Sequence, residues 1–285
     1  MADTVADAIR AATVRLSDTS DTARLDAELL MAHALGVSRS DVLLRYMQDN
    51  PPAGFAPMVE RRAAREPIAY ITGTQEFYGR AFAVTPDVLI PRADSESVID
   101  TALNAAPDAR RVLDCGTGSG ALLLTLLAEI PDAQGTGIDA SVAAVEVARA
   151  NAAGLGLTRR ADIRLANWTA PGWADELGLF DLVIANPPYV ENGAALDADV
   201  RDYEPASALF SGLDGLDDYN ILIPQLPQLL TKNGVVVLEI GATQAEQVTQ
   251  IAREHGFAAT AHKDLGGRDR TLILRLRLGK GESSG

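Results

Sequence analysis

The sequence predicts an α/β protein: a mixed sheet of seven strands covered by helices, preceded by a small helical bundle and joined to it by a β-hairpin. Three patterns carry that prediction. Apolar residues recur at helical spacing up to about residue 72. A short stretch around Gly79 then alternates like a hairpin. After Pro107, strand-like and helix-like segments alternate to the end, the signature of strands joined by crossover helices.

In the first region Val5, Ala8, Ile9, Ala12 and Leu16 share one helical face. Ser20 or Asp21 caps a second helix, which carries Leu25, Leu29, Leu30 and Ala34 and stops at Gly36. Ser38 or Ser40 opens a third with Val42, Leu43 and Tyr46, broken by Asn50-Pro51-Pro52. A fourth runs from about Pro57 to Glu66, where Pro67 ends or restarts it. Arg61, Arg62 and Arg65 form the one compact basic cluster, read as a solvated helix face or as a docking site.

Phe77 to Val84 reads as a hairpin with Gly79 at its turn. Leu89-Ile90-Pro91-Arg92 then leads into a helix through about Ala105. Strands are expected at Arg111–Asp114, Gln134–Asp139, Asp162–Leu165, Leu179–Ala185 and Val235–Ile240, with two more at Ala258–Lys263 and Thr271–Leu276. Helices are expected at Gly120–Glu129, Val142–Ala153, Asp217–Leu230 and Thr243–His255. The resulting division is 1–72 helical, 73–92 connector, 93–278 α/β domain and 279–285 a flexible, glycine- and serine-rich tail.

The chain has 285 residues, 47% of them apolar and 22% charged, which suits one large or two medium soluble domains. No apolar run approaches the roughly 20 residues of a membrane span. The opening Met1-Ala2-Asp3-Thr4 is acidic and carries no apolar signal segment. Cys115 is the only cysteine and the three histidines are scattered, so a cytoplasmic protein with a metal-free site is expected. A net charge of −14 argues against nucleic acid as the main partner.

Val112 to Gly120 runs from an apolar strand into Gly116-Thr117-Gly118-Ser119-Gly120 and a helix. Glycines let a backbone turn sharply and let a ligand approach it closely. The loop lies at a strand's carboxyl end, where open α/β sheets bind ligands. Asp114 precedes the glycines, placed to accept a hydrogen bond from an ammonium group and to repel a pyrophosphate. Asp139 ends the next strand, placed to accept both hydroxyls of a ribose. A nucleoside with an amino-acid tail fits this pattern, which is S-adenosylmethionine; NAD is the alternative. Asn167-Trp168 follows the third strand. Asn167 is placed to hydrogen-bond the adenine edge, while Trp168 either packs on that ring or belongs to the core. Cys115 reads as a buried strand end.

The run Phe180 to Ala185 reads as a strand buried on both faces, ended by Asn186-Pro187-Pro188-Tyr189. Prolines carry no N–H, so this turn offers carbonyls without competing donors. Asn186 adds a side-chain oxygen and Tyr189 an aromatic face. Together they suit an –NH2 group: two acceptors for its hydrogens and a ring to lie against.

These residues resemble the S-adenosylmethionine-dependent glutamine N5-methyltransferases that modify peptide-chain release factors. The resemblance spans nearly the whole chain. It rests on Arg65-Glu66-Pro67-Ile68-Ala69-Tyr70-Ile71-Thr72-Gly73, Glu76-Phe77-Tyr78-Gly79, Leu89-Ile90-Pro91-Arg92, the loop from Asp114 to Gly120, Asn186 to Tyr189, Asp199-Val200-Arg201-Asp202-Tyr203-Glu204-Pro205, and Leu265-Gly266-Gly267-Arg268-Asp269-Arg270. It implies a Rossmann-like class I methyltransferase fold and a glutamine substrate in the Gly-Gly-Gln loop of release factors. It implies cofactor contacts from Gly116 to Gly120, Asp139, Trp168 and Asn186, and an amide pocket formed by Asn186, Pro187, Pro188 and Tyr189. The helical domain and connector would help hold the release factor. A cytoplasmic monomer that does not act on nucleic acid is expected. Ala93 stands where the family usually has proline, Ser95 where it has threonine, and Asn167 where it has aspartate. The Asn-Pro-Pro-Tyr turn is also shared with DNA amino-methyltransferases, which form the alternative, along with a same-family enzyme for another glutamine-bearing protein. A non-catalytic binding protein is the reading from another class.

Overall fold

The computed structural model describes residues 4–264 and 266–277. The expected tail 279–285 lies outside the described residues, as does Leu265. The chain forms two compact units. One contains the described residues up to Thr74 together with the later segment Leu196–Tyr203; the other contains Gln75–Ala195 and the described residues from Glu204 onward.

In the first unit, helix Val5–Leu16 starts on Thr4, whose hydroxyl accepts from the Asp7 N–H, and buries the five expected apolar residues. Helix Ala23–Leu35 ends on Gly36, whose φ of 67° suits glycine. Its buried face differs from the expected one. Leu25 is 39% exposed, whereas Asp26 and Glu28 are buried. Ion pairing is the reason: Arg62 Nε donates to Asp26 Oδ2 (2.7 Å), and Arg24 and Arg39 donate to Glu28. The Ser20 and Thr22 hydroxyls also serve Asp26 and do not cap the helix.

Ser38 caps the short helix Arg39–Asp41, which widens into a π-turn at Val42–Tyr46. Helices Phe55–Ala63 and Ile68–Thr72 complete the bundle, the second starting on Pro67. Arg62 is therefore a buried tie, while its neighbour Arg61 pairs with Glu66 near the surface. A second Arg62 nitrogen donates to Asp199 Oδ2 at 2.6 Å. Asp199 lies on helix Ala198–Tyr203, which periodicity did not reveal, and the Tyr203 hydroxyl donates to the Ala64 carbonyl at 2.7 Å. Removing one partner of such a buried pair strands the other charge.

The hairpin strands are β1 (Thr74–Phe77) and β2 (Arg80–Ala83). Tyr78 and Gly79 both have positive φ, 50° and 71°, the geometry that matches a two-residue turn to the strands' twist. The main sheet follows with β3 (Arg111–Cys115), β4 (Gln134–Asp139), β5 (Ala161–Leu165), β6 (Phe180–Ala185), β7 (Leu230–Glu239), β8 (Phe257–Lys263) and β9 (Asp269–Leu276). Their order is β5-β4-β3-β6-β7-β9-β8, with β9 antiparallel to both its neighbours. Apolar clusters fill both faces of the sheet.

The segment expected as one helix from Asp217 to Leu230 is α-helical only to Leu222, then 3-10 from Ile223 to Leu229. Pro224 and Pro227 supply no N–H for an α-helical ladder. β7 accordingly begins at Leu230, earlier than the expected Val235. Among the described residues no helix is long and apolar enough to cross a membrane.

Candidate active site

The strand order reverses between β3 and β6, the point where sheets of this kind open a crevice at their carboxyl ends. Cys115 and Ala185, the last residues of these strands, are register partners. The glycine loop and the Asn-Pro-Pro-Tyr turn therefore leave the sheet side by side. A cleft of about 480 Å³ opens there, within the size range of small-molecule sites.

Hydrogen bonds tie down the loop's main chain. Gly116 and Thr117 donate to the Ile138 carbonyl (2.9 and 2.8 Å), and Gly118 donates to Asp139 Oδ2 (2.9 Å). Gly120 has φ 82°, and a Cβ there would come within 2.9 Å of Leu124 Cδ1. At Gly116 a Cβ would meet the Trp168 ring at 3.1 Å, so this glycine lets the indole close over the loop. Asp139 also accepts from the Ser141 N–H (2.9 Å). Each of its oxygens thus keeps a lone pair for a ligand in the cleft that Asp139 lines.

Gly116 to Ser119 line the cleft, with Asp139, Asn167 and Trp168 along the same cradle. Asn186 and Pro188 line it from β6. Asp114, Gly120, Pro187 and Tyr189 are not among the lining residues. Asp114 is buried beneath the loop, where its Oδ2 accepts from the Thr117 hydroxyl at 2.7 Å and no well-formed hydrogen bond reaches its Oδ1 among the described residues. Burial pushes its carboxyl up to about 7, with the Asp139 charge adding to the shift and Thr117 opposing it. Cys115 is fully buried, and burial pushes its thiol well up.

Trp168 is both wall and core. Its ring packs against the buried cluster on one sheet face, and its Nε1 donates to Asp218 Oδ1 (3.1 Å). Asn167 Oδ1 accepts from the Thr169 N–H and hydroxyl (2.9 and 2.8 Å), which leaves its –NH2 as the group to offer a ligand. Asn186 is free of such ties: among the described residues no hydrogen bond engages its side chain. Tyr189 is half-buried, and its hydroxyl donates to Glu239 Oε1 at 3.3 Å. Its carbonyl accepts from Gln244 Nε2 at 3.0 Å. Burial and the Glu239 charge push the phenol above its ordinary range.

Several supporting residues escaped the sequence reading. Arg92 and buried Glu204 form an ion pair, and Glu204 Oε2 also accepts from the Ile90 N–H (3.3 Å). This joins the Leu-Ile-Pro-Arg and Tyr-Glu-Pro segments, both visible as motifs but not as partners. Buried Asn151 accepts from Ala83 N (2.7 Å) and donates to Ala83 O (2.9 Å) and Ser119 O (2.8 Å), tying hairpin to glycine loop. A polar residue amid alanines on a helix was its only signal. Of the two departures near the pocket, Ser95 is buried in the cleft wall, while Ala93 is exposed and does not line it. No group of three or more His, Cys, Asp or Glu side chains able to hold a metal ion occurs among the described residues.

Residues 7–73 match the PrmC N-terminal domain, and residues 107–271 match a methyltransferase domain. The chain is 42% identical to the release factor glutamine methyltransferase of Cereibacter sphaeroides, over 95% of this chain and 98% of that protein. The chain belongs to the release factor glutamine methyltransferase family. The member from Rhodospirillum rubrum is 40% identical over 89% of this chain and 79% of its own length. Among solved structures, the hMettl16 catalytic domain is similar with a TM-score of 0.56 at 14% identity, covering 82% of this chain and 96% of that one. At that identity the likeness speaks for the fold, which is that of class I methyltransferases. As a family member the chain is a methyltransferase, and its relatives do not favour the DNA amino-methyltransferase alternative.

Proposed function

We propose that this chain moves a methyl group from S-adenosylmethionine to the side-chain amide nitrogen of a glutamine, the one in the Gly-Gly-Gln loop of peptide-chain release factors. The observation that carries this is the pairing of Cys115 with Ala185 at the switch point. It sets the glycine loop beside the Asn-Pro-Pro-Tyr turn, whose Asn186 and Pro188 line the same cleft, in a chain closely similar to enzymes named for that reaction.

The cradle fits the cofactor. The loop leaves no room for a Cβ at Gly116 or Gly120 without displacing Trp168 or Leu124. Asp139 keeps acceptors for ribose hydroxyls, and Asn167 keeps a donor for an adenine edge. When bound, S-adenosylmethionine supplies a methyl group already activated by its sulfonium.

An amide nitrogen is a poor nucleophile because its lone pair is shared with the carbonyl. The protein's task is therefore to orient it in line with the methyl–sulfur bond. Asn186 Oδ1 and the Pro187 carbonyl accept the two amide hydrogens. The same oxygens stabilise positive charge as it develops on nitrogen. Tyr189 offers its ring to the amide plane. One amide proton leaves during or after the transfer, and no dedicated base is assigned to take it.

The PrmC-type helical unit is the proposed docking surface for the release factor, and the enzyme acts as a cytoplasmic monomer without nucleic acid as direct substrate. Incubation with methyl-labelled S-adenosylmethionine tests the whole reading. Label should enter a wild-type release factor and not one whose Gly-Gly-Gln glutamine is replaced by alanine. Equal labelling of both would overturn the assigned acceptor.

A further inference from the structure

We infer that Glu239 is a positioning residue for methyl transfer: from beneath the Asn-Pro-Pro-Tyr turn it holds the Tyr189 hydroxyl and so sets the ring against the substrate amide. This deepens the reading above and rests on Asn186 to Tyr189 being the amide pocket.

The placement follows from the sheet. β7 lies beside β6, and Leu238 is the register partner of Ala185. Glu239, the next residue, is therefore level with Asn186 at the head of the turn. It is 2% exposed. Its Oε1 accepts from the Tyr189 hydroxyl, and its backbone carbonyl accepts from the Tyr219 hydroxyl at 2.8 Å. One residue thus gathers two tyrosine hydroxyls directly behind the pocket.

A purely structural role explains Glu239 poorly. Among the described residues no well-formed hydrogen bond reaches its Oε2, which has only the Ser95 side chain to interact with, and none reaches the hydroxyl of Thr271, its cross-strand register partner. A buried carboxyl so weakly paired is destabilising relative to an apolar residue of similar size. Burial pushes this carboxyl above its ordinary range, opposed by Ser95, Arg270 and Tyr189.

The surroundings connect Glu239 to the cleft. Ser95, which lines the cleft, faces it. The turn Ala93–Ser95 is itself pinned, because Arg268 and Arg270 both donate to Asp94 Oδ2 at 3.1 Å. Arg268 also pairs with Asp264. The Gly-Arg-Asp-Arg segment thereby anchors the strand end and turn that flank Glu239.

The test uses the full-length protein with S-adenosylmethionine and a release factor, measuring kcat, KM, cofactor Kd and melting temperature. A misplaced pocket ring should lower kcat by about 10- to 100-fold in Glu239→Ala. KM and cofactor Kd should stay near wild type. Glu239→Gln keeps an acceptor for the phenol and should recover most of that kcat. Tyr189→Phe should show the same loss as Glu239→Ala, and the double variant should fall no further than either alone. Wild-type kcat in Tyr189→Phe, or losses that multiply in the double variant, would overturn the inference. The Tyr189→Phe arm decides even if Glu239→Ala fails to fold. Asn186→Ala run alongside separates the two levels. If it keeps wild-type turnover, the pocket reading itself is wrong; if it collapses while Glu239→Ala does not, only the role of Glu239 is.

Discussion

The glycine loop and the Asn-Pro-Pro-Tyr turn both rise from the switch point, and each rests on a buried carboxyl. Asp114 lies under the first and Glu239 under the second. In each, one oxygen accepts a hydroxyl, and among the described residues no well-formed hydrogen bond reaches the other. Burial raises both carboxyls. They differ in reach: Asp114 holds Thr117, three residues away, whereas Glu239 holds Tyr189 across 50 residues and a strand boundary. The loop presents its own main chain, so a local brace suffices. The turn presents side chains, whose orientation depends on a neighbouring strand.

The comparison breaks most visibly at Asn186. Asn186→Ala should cut turnover by about 100-fold or more, as for losing one oxyanion-type contact, and leave cofactor affinity largely intact. Equal turnover would mean that the turn does not do the chemistry. On the other loop the loss should fall on binding. Removing a charged acceptor is worth about 1.5–3 kcal/mol, so Asp139→Ala should weaken cofactor affinity roughly 10- to 150-fold by calorimetry. An unchanged Kd would remove Asp139 from the ribose site.

Smaller effects sharpen the contrast. Gly120→Ala forces a Cβ toward Leu124 at positive φ and should lower stability by about 1–3 kcal/mol in a denaturant titration. A neutral result would show that the loop tolerates ordinary residues. A pH-dependent effect concerns Asp114, whose carboxyl is pushed up to about 7 in the fold against an ordinary 3.8. A raised carboxyl favours the folded state while protonated. That contribution is complete below about pH 4 and disappears as pH rises through about 7. Asp114→Asn should therefore flatten the fall in melting temperature over that window; an unchanged slope would assign it to other groups.

Much of the site was legible because its determinants are local. Strand, glycines and helix are contiguous from Val112 to Gly120, and the two prolines mark the end of β6 unmistakably. The alternation of strand and helix announces a largely parallel sheet, though not the order of its strands. What stayed hidden depends on distant partners. Leu25 looks like a core residue until Arg62 draws Asp26 inward. Helix Ala198–Tyr203 buries none of its own residues, so it has no periodic stripe to read. It is held by Arg62 and the Ala64 carbonyl instead. Asn151 and Glu239 look like unremarkable polar residues in the sequence, and Glu204 stands in a visible motif without a visible partner; only burial against named groups gives the three a role.

The central claim is that both loops serve one transfer to one glutamine nitrogen. Peptide mass spectrometry of a release factor, after incubation with S-adenosylmethionine and either wild-type protein or Asn186→Ala, tests it most directly. The account predicts one added methyl on the Gly-Gly-Gln glutamine with wild type, and almost none with the variant in the same time. An unmodified glutamine with wild-type protein, or a methyl on any other residue, would contradict it.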